Sequence, residues 1–303
     1  MIEQEHRGSE RATTRLRSLL ARPGIVQAPG AWDALSARVI EAAGDPAISV
    51  GGTAIAAAHL ALPDTGLLTS TEIIAVAGRI AGATRLPVIC DADAGYGNPL
   101  NVARTVRSFE GSGVAGIHLE DEVFPRTRYA HPDRQLCSVD EMRRRLDAAL
   151  AARRDPDFVL IARTDARLGR DLAETVGRIE AYATTGVDIC YVEHLTSREE
   201  FERVAAAIGH RVPLLANMTE FSRYPLLTAS ELEALGYRIV IYPLTILRAA
   251  LGAARAALDE LAATGSQAGF LDRLAPRTVL PALTDTDLAM ELEREYLPPE
   301  DAG

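Results

Sequence analysis

The chain has 303 residues, of which 32 are basic and 42 acidic, so its formal net charge is −10. Its composition, 48% hydrophobic and 24% charged, is typical of a globular protein and excludes a disordered or collagen-like chain. The acidic balance, without a basic stripe, argues against nucleic acid as a partner. Every basic residue is an arginine, which excludes a Schiff-base lysine and a Walker P-loop, so carbon–carbon bond chemistry would need a metal or an oxyanion site.

Short apolar runs alternate with helical patterns from one end of the chain to the other. The runs are apolar throughout instead of alternating with polar residues, which is typical of parallel strands covered on both faces. The eight predicted strands are residues 25–28, 47–50, 87–90, 116–119, 158–161, 189–192, 213–216 and 239–242.

Capping-box patterns predict where four of the intervening helices begin. They are Thr69-x-x-Glu72, Ser138-x-x-Glu141, Ser197-x-x-Glu200 and Thr228-x-x-Glu231. Eight strands alternating with helices predict an α/β fold, a (β/α)8 TIM barrel that forms a single domain over residues 1–303. Residues from about 264 to 303 lie beyond the eighth unit and predict an extension of extra C-terminal helices.

The cysteines and the apolar stretches predict a cytoplasmic protein. Cys90, Cys137 and Cys190 are odd in number and lack metal-ligand spacing, as in proteins of a reducing compartment. Residues 1–22 are rich in charge and lack the apolar core of a signal peptide. The most apolar stretch, 47–63, falls short of a membrane span, so no membrane partner is expected.

Acidic residues gather where the predicted strands end, which is where barrel enzymes place their catalytic groups. Asp91 and Asp93 follow the third strand, Glu120 ends the fourth, and Asp64 lies in the loop after the second. Together they form a cluster of hard oxygen ligands suited to Mg²⁺, with Mn²⁺ as an alternative. Any one of these acids alone could equally be a helix cap.

Other polar residues occupy the same predicted edge of the barrel. Arg163 would clamp a substrate carboxylate or form a structural salt bridge. Gly51, Gly52 and Thr53 offer exposed backbone amides after the second strand. His118, beside Glu120, fits either a supporting or proton-transfer role or that of a hydrogen-bonded core histidine.

Several motifs resemble one family, in its order, between about residues 25 and 260. They are Leu62-Pro-Asp64, Asp91-Ala-Asp-Ala-Gly-Tyr-Gly97, His118-Leu-Glu-Asp121, Ile161-Ala-Arg-Thr-Asp-Ala166, Leu215-Ala-Asn-Met-Thr-Glu-Phe221 and Ile241-Tyr-Pro-Leu244 with Arg248. With them the chain resembles the isocitrate lyase/phosphoenolpyruvate mutase superfamily, and most closely its methylisocitrate lyase and carboxyphosphoenolpyruvate mutase branch.

The resemblance implies a Mg²⁺ ion held directly or through water by Asp64, Asp91, Asp93 and Glu120. It implies substrate contacts from the residues that follow the strands, and our candidates are Gly51, Gly52, Thr53, Asp91, Arg163, Glu193, Asn217, Thr219 and Glu220. It also implies an enolate formed from a carboxylate substrate, and a homotetramer whose C-terminal helices are exchanged between subunits.

One loop departs from the family. The lyases carry a cysteine, their general acid, in the loop after the fourth strand. An ungapped alignment places Arg128 there, whereas a slip of one residue places Tyr129 there and restores a histidine at His131. The candidate catalytic residues are therefore Arg128, Tyr129 and His131, with Glu120.

The leading interpretation is a Mg²⁺-dependent carbon–carbon lyase acting on a 2-hydroxy- or 2-oxo-di- or tricarboxylate, with another acid, or none, in place of the thiol. The altered loop leaves open a decarboxylase, hydrolase or phosphonate mutase that acts on a β-substituted pyruvate. A protein that binds a carboxylate without catalysis is a further alternative.

Overall fold

Eight parallel strands form the centre of the protein. The computed structural model describes residues 10–126, 134–222 and 225–297. The strands are β1 (Val26–Pro29), β2 (Ile48–Val50), β3 (Val88–Asp91), β4 (Gly116–Glu120), β5 (Val159–Thr164), β6 (Ile189–Val192), β7 (Leu214–Asn217) and β8 (Tyr237–Tyr242). Each corresponds to a predicted strand; the largest difference is at β5, which ends at Thr164 instead of residue 161.

The sheet curls until its two edge strands nearly meet. Its order is β1-β8-β7-β6-β5-β4-β3-β2, so β1 and β2 are its two edges. These edges are joined by a parallel bridge between Gly30 and Ser49 and by the Ser49 hydroxyl, which donates to the Ala28 carbonyl at 3.0 Å. The predicted (β/α)8 fold with extra C-terminal helices is therefore confirmed.

Helices follow the strands in alternation. They are α1 (Ala12–Ala21), α2 (Ala34–Ala43), α3 (Gly52–Ile55), α4 (Ser70–Ala83), α5 (Pro99–Gly111), α6 (Val139–Ala152), α7 (Leu172–Ala183), α8 (Arg198–Ile208), α9 (Ala229–Ala234), α10 (Thr245–Thr264), α11 (Val279–Leu283) and α12 (Thr286–Tyr296). A π-helical turn, Ala56–Leu60, continues α3, and 3-10 turns span Ala166–Leu168 and Ala268–Arg273.

The predicted capping boxes are complete at two of the four helices, those beginning after Thr69 and Thr228. Ser138 caps α6 with its side chain, which accepts from the backbone N–H of Glu141. The box at Ser197 is wrong, although α8 does begin after this residue. There the Glu200 carboxylate instead accepts from the Thr196 backbone N–H at 2.7 Å and pairs with an arginine of the loop after β5.

The barrel interior is apolar, and α1 covers its N-terminal end. Leu16 of α1 is fully buried in the same cluster as Val26, Ile161 and Ile239. Arg17, also on α1, forms an ion pair of 2.7 Å with Asp188, which directly precedes β6. Polar chemistry is therefore left to the opposite end, where the strands finish.

The chain divides into two compact units, Met1–Leu247 and Arg248–Gly303. The first holds the strands and the helices that alternate with them. The second holds most of α10 together with α11 and α12. That the whole chain acts as one domain with an extension from about residue 264 stays a prediction. Among the described residues, no helix is long and apolar enough to cross a membrane.

Candidate functional site

Two strand ends bring three carboxylates together. Asp91 ends β3, Asp93 follows in a tight turn, and Glu120 ends β4. The turn uses left-handed backbone at Asp93 and Gly95, with φ of 45° and 79°, and the Asp93 backbone N–H donates to Asp91 Oδ1 at 3.0 Å. Each of the three offers an oxygen within 4.8 Å of the others, and all three side chains are buried.

A fourth carboxylate, Asp64, approaches from the loop after α3. It accepts a hydrogen bond of 2.7 Å from the Thr53 hydroxyl. Gly52 lies between the two acidic regions: a Cβ built on it would be 3.6 Å from Asp64 Oδ1 and 3.7 Å from Asp91 Oδ2. The three strand-end acids and Asp64, which we call the acid cluster, are the four residues for which the sequence predicts metal binding.

The guanidinium group of Arg126 lies against the acid cluster. Its NH1 is 3.1 Å from Asp64 Oδ2, and its NH2 is 3.1 Å from Asp93 Oδ1 and 2.7 Å from Glu120 Oε1. Its Nε is 3.3 Å from an oxygen of Glu122, and only 7% of the Arg126 side chain is exposed. One arginine therefore neutralises part of a densely negative region.

Burial and neighbouring charges perturb the pKa values of the three carboxyls at the ends of β3 and β4. Burial, reinforced by the charges of Asp91 and Glu120, raises the pKa of Asp93 well above its ordinary value. Burial likewise raises the pKa of Glu120 to about 7, although Arg126 and Arg163 oppose the shift. Burial also disfavours the charge of Asp91, but His118 and the two arginines outweigh it and lower the pKa of that carboxyl.

Arg163, the predicted carboxylate clamp, lies beside the acid cluster and is paired. It donates from Nε and NH2 to the two oxygens of Asp165 at 2.7 and 2.8 Å, a bidentate geometry. Its NH1 is 3.6 Å from Glu120 Oε2 and 3.8 Å from Asp91 Oδ2. Of the two roles predicted for Arg163, the geometry supports the salt bridge directly, while NH1 remains directed at the cluster.

A second polar group is formed by the ends of β6 and β7. Asn217 donates from its amide to both oxygens of Glu193 at 3.2 Å, and the Thr219 hydroxyl donates to Asn217 Oδ1 at 2.8 Å. The Tyr191 hydroxyl also donates to Glu193. The structure thus joins three of the predicted substrate-binding residues, whereas Glu220 accepts from Thr245 at the start of α10.

Asp121 ties the end of β4 to the end of β5, a role that the sequence interpretation missed. Its buried carboxylate accepts from the Thr164 hydroxyl at 2.7 Å, the Asp165 backbone N–H at 3.0 Å and the Tyr182 hydroxyl at 2.9 Å. Arg178 adds a longer contact of 3.4 Å. Asp121 therefore fixes the backbone from which Asp165 holds Arg163.

His118 supports the acid cluster from β4. Its Nδ1 lies 3.4 Å from Asp91 Oδ1, and its ring packs edge-on against Tyr191 with centroids 5.6 Å apart. Burial lowers the pKa of His118, which the charge of Asp91 only partly offsets. The geometry agrees with a supporting role toward Asp91.

The acid cluster fits a divalent cation of the Mg²⁺ class. The ligand atoms it offers are hard carboxylate oxygens, and Mg²⁺ is bound in proteins by a few carboxylates together with waters. Glu120 Oε2 is buried, and no group in the described part of the chain donates a hydrogen bond to it. The residues that would hold the ion are Asp64, Asp91, Asp93 and Glu120.

The contact between Arg126 and the acid cluster is the main feature that the sequence interpretation did not predict, because it took Arg126 and Arg128 to favour binding of a dianionic group. The only sequence signal is an arginine six residues after Glu120, in a loop that also contains Arg128 and Arg134. The three residues proposed to replace the family's cysteine lie outside the described residues: Arg128, Tyr129 and His131. Their catalytic role stays a prediction.

Comparison with known proteins agrees with this geometry. A family model described as phosphoenolpyruvate phosphomutase matches residues 16–262. The chain belongs to the phosphoenolpyruvate mutase/isocitrate lyase superfamily. The family predicted from the motifs is therefore confirmed.

The relatives of this superfamily member include lyases and a hydrolase. It is 47% identical over 266 residues to a probable 2-methylisocitrate lyase 2 of Corynebacterium glutamicum, covering 88% of this chain and 85% of that protein. It is 40% identical over 282 residues to the 2,3-dimethylmalate lyase of Eubacterium barkeri, covering 93% and 97%. The structure of oxaloacetate acetylhydrolase with 3,3-difluorooxalacetate is 34% identical, with a TM-score of 0.87 and coverage of 94% and 96%.

Proposed function

We propose that the protein is a Mg²⁺-dependent lyase that cleaves the C2–C3 bond of a 2-hydroxy- or 2-oxo-di- or tricarboxylate. The relatives support the class, since those compared include a probable 2-methylisocitrate lyase and a 2,3-dimethylmalate lyase. The observation that carries the proposal is the acid cluster, three members of which are buried together at the ends of β3 and β4. A chain without lysine has no Schiff-base route to such a cleavage, whereas carboxylates can hold a metal for it.

Different residues of the site are proposed to bind the ion and the substrate. When bound, the cation supplies Lewis-acid stabilisation of the negative charge that develops on the substrate oxygen as the bond breaks. The backbone amides of Gly51, Gly52 and Thr53 are proposed to bind one carboxylate. Arg163, held by Asp165, is proposed to bind a second one through NH1.

The remaining contacts are proposed for the Glu193–Asn217–Thr219 group, with Glu220 nearby. Their mutual hydrogen bonds hold these side chains in fixed orientations before a substrate arrives. The proton for the departing product is proposed to come from the loop at Arg128, Tyr129 or His131. Arginine is a poor proton donor, so Tyr129 and His131 are the better candidates for an acid.

The experiment is proton NMR of the purified protein with Mg²⁺ and methylisocitrate or 2,3-dimethylmalate, each repeated with EDTA. Conversion that EDTA abolishes is expected. Asp93→Asn should abolish it as well, because it removes a charged ligand of the proposed ion. Asp147→Asn, which removes an exposed carboxylate of α6, is the matched control and should turn over normally.

A second candidate is hydrolysis or decarboxylation of a β-substituted pyruvate, which needs no thiol acid. The structural likeness to oxaloacetate acetylhydrolase favours it. Conversion of oxaloacetate or phosphonopyruvate, with neither of the first two acids consumed, would move the function to this reaction or to phosphonate chemistry. Binding of these acids without turnover of any would instead indicate a non-catalytic carboxylate-binding protein.

We also propose a cytoplasmic homotetramer in which the C-terminal helices contact neighbouring subunits. Exposed apolar side chains along these helices support the contact: Leu251, Leu258, Leu280 and Met290. The three buried, unpaired cysteines are consistent with a reducing compartment. Light scattering after size exclusion tests the assembly, and a mass of one chain would refute it.

A further inference from the structure

Arg126 contacts the same oxygens that the proposed cation needs. Its two terminal nitrogens reach Asp64, Asp93 and Glu120 at 2.7 to 3.1 Å, and these are three of the four proposed ligands. No other arginine in the described part of the chain approaches three members of the acid cluster within 4 Å; Arg163 reaches Glu120 and Asp91 only at 3.6 and 3.8 Å. The positive charge of Arg126 therefore contacts the carboxylates at which the metal ion is proposed to bind.

A guanidinium and a divalent ion cannot both take their best geometry on these oxygens. Mg²⁺ requires carboxylate oxygens at about 2.0–2.1 Å in a near-octahedral arrangement, together with its waters. Two positive centres sharing buried carboxylates also repel each other strongly, because little solvent screens them. Binding of the ion thus requires Arg126 to give up at least part of its contacts.

Arg126 has a partner that it can keep when it leaves the others. Its Nε lies 3.3 Å from Glu122, a carboxylate outside the proposed ligand set. Glu122 is itself buried and also paired with Arg134, which is 2.9 Å from Asp165. The arginine is accordingly not left as an isolated buried charge once the cation occupies the cluster.

We propose that Arg126 competes with the divalent cation for the acid cluster, so that the arginine sets the protein's affinity for its metal. The proposal rests on the proposed function, since it takes the acid cluster to be the metal site. Coupling of this kind is reciprocal: the ion displaces the arginine side chain as much as the arginine weakens the ion. Arg126 is in this sense a regulating residue of the site and not one of its ligands.

The test is Mn²⁺ binding, followed by the electron paramagnetic resonance of free Mn²⁺ at fixed pH and ionic strength, on full-length protein stripped with EDTA. Arg126→Gln should lower the Kd for Mn²⁺ by about tenfold or more, within the usual range of such couplings. Arg126→Lys should lower it by a smaller factor, because an ammonium is a point charge that cannot span three carboxylates in one plane.

Arg134→Gln is the matched control. It removes the same charge beside Glu122 and Asp165 but makes none of the three contacts to the acid cluster. Its Kd should stay within about threefold of the original, because it leaves Glu122 and Asp165 with one cation fewer but frees none of the proposed ligand oxygens. An Arg134→Gln effect as large as that of Arg126→Gln would overturn the proposal, as would an Arg126→Gln Kd within twofold of the original. If Arg126→Gln does not fold, the absence of any gain in Arg126→Lys overturns it.

Asp93→Asn separates this proposal from the function on which it rests. Loss of Mn²⁺ binding in Asp93→Asn, together with tighter Mn²⁺ binding in Arg126→Gln, supports both the metal site and the competition. Loss in Asp93→Asn without a gain in Arg126→Gln overturns the competition and leaves the metal site intact. Unchanged binding in Asp93→Asn would place the ion elsewhere and overturn both.

Discussion

Replacement of Asp121 by asparagine is expected to destabilise the protein substantially, because its carboxylate, directly after β4, accepts hydrogen bonds from the end of β5 and from α7. Three close donors reach it at 2.7, 2.9 and 3.0 Å, Arg178 adds a longer contact of 3.4 Å, and the carboxylate is fully buried. A hydrogen bond to a charged group contributes about 1.5–3 kcal/mol, so three would at most contribute about 5–9 kcal/mol.

The net loss is smaller for two reasons. Asparagine keeps one carbonyl oxygen, which can still accept from part of this set. Burial also raises the pKa of Asp121, which means that the charged form already carries a desolvation cost that asparagine avoids. We therefore expect Asp121→Asn to lower the free energy of unfolding by about 2–3 kcal/mol.

The assay is equilibrium unfolding in urea, followed by far-ultraviolet circular dichroism. Tyr182→Phe is the matched control, since it removes one of the three donors and keeps the buried ring; its expected loss is about 1 kcal/mol. The reasoning is refuted if Asp121→Asn unfolds within about 0.5 kcal/mol of the original protein, or if Tyr182→Phe loses as much as Asp121→Asn.

Two further predictions concern the cysteine thiols and the N-terminal end of the barrel, which α1 covers. Iodoacetamide at pH 8 should leave the cysteines of the native protein unmodified, as checked by mass spectrometry. Burial raises the pKa of Cys137 to about 11 and of Cys190 to about 12, and that of Cys90 well above 9.0. Rapid labelling of the folded chain would contradict this prediction, and labelling in urea is the positive control. Leu16→Ala should lower the free energy of unfolding in urea by about 2–5 kcal/mol, because it opens a cavity where α1 covers the barrel. Leu100→Ala, at an exposed position of α5, is its control, and equal losses would show that α1 does not close the core.

The pattern of apolar residues predicts the barrel well, because that pattern depends mainly on which residues are buried. Most strands are covered on both faces, so their sequences are short apolar runs that no amphipathic helix resembles; β1, where Gln27 is exposed, is an exception. The strand ends then follow from the architecture, which is why Asp91, Asp93 and Glu120 could be placed together from the sequence.

Side-chain partners are less predictable, because they depend on distances between residues that are far apart in the chain. The sequence favoured a substrate clamp over a salt bridge for Arg163. Asp165, its bidentate partner, is only two residues away, but the Asp165 backbone is held by Asp121, 44 residues earlier, and that contact was missed. Ser197 begins a helix as its pattern indicates, yet Glu200 finds stronger partners than the capping box. Arg126 reaches the acid cluster through a side-chain path that no spacing rule encodes.

The alternating charges at the ends of β4 and β5 have an evolutionary consequence. Glu122 lies between Arg126 and Arg134, and Asp165 lies between Arg134 and Arg163. Removal of one member leaves a buried neighbour uncompensated, at a cost of about 3–5 kcal/mol, whereas replacing a whole set by apolar residues is often neutral. Substitutions at these positions should therefore be inherited in groups, and lineages that lose one of these charges should have changed its neighbours as well.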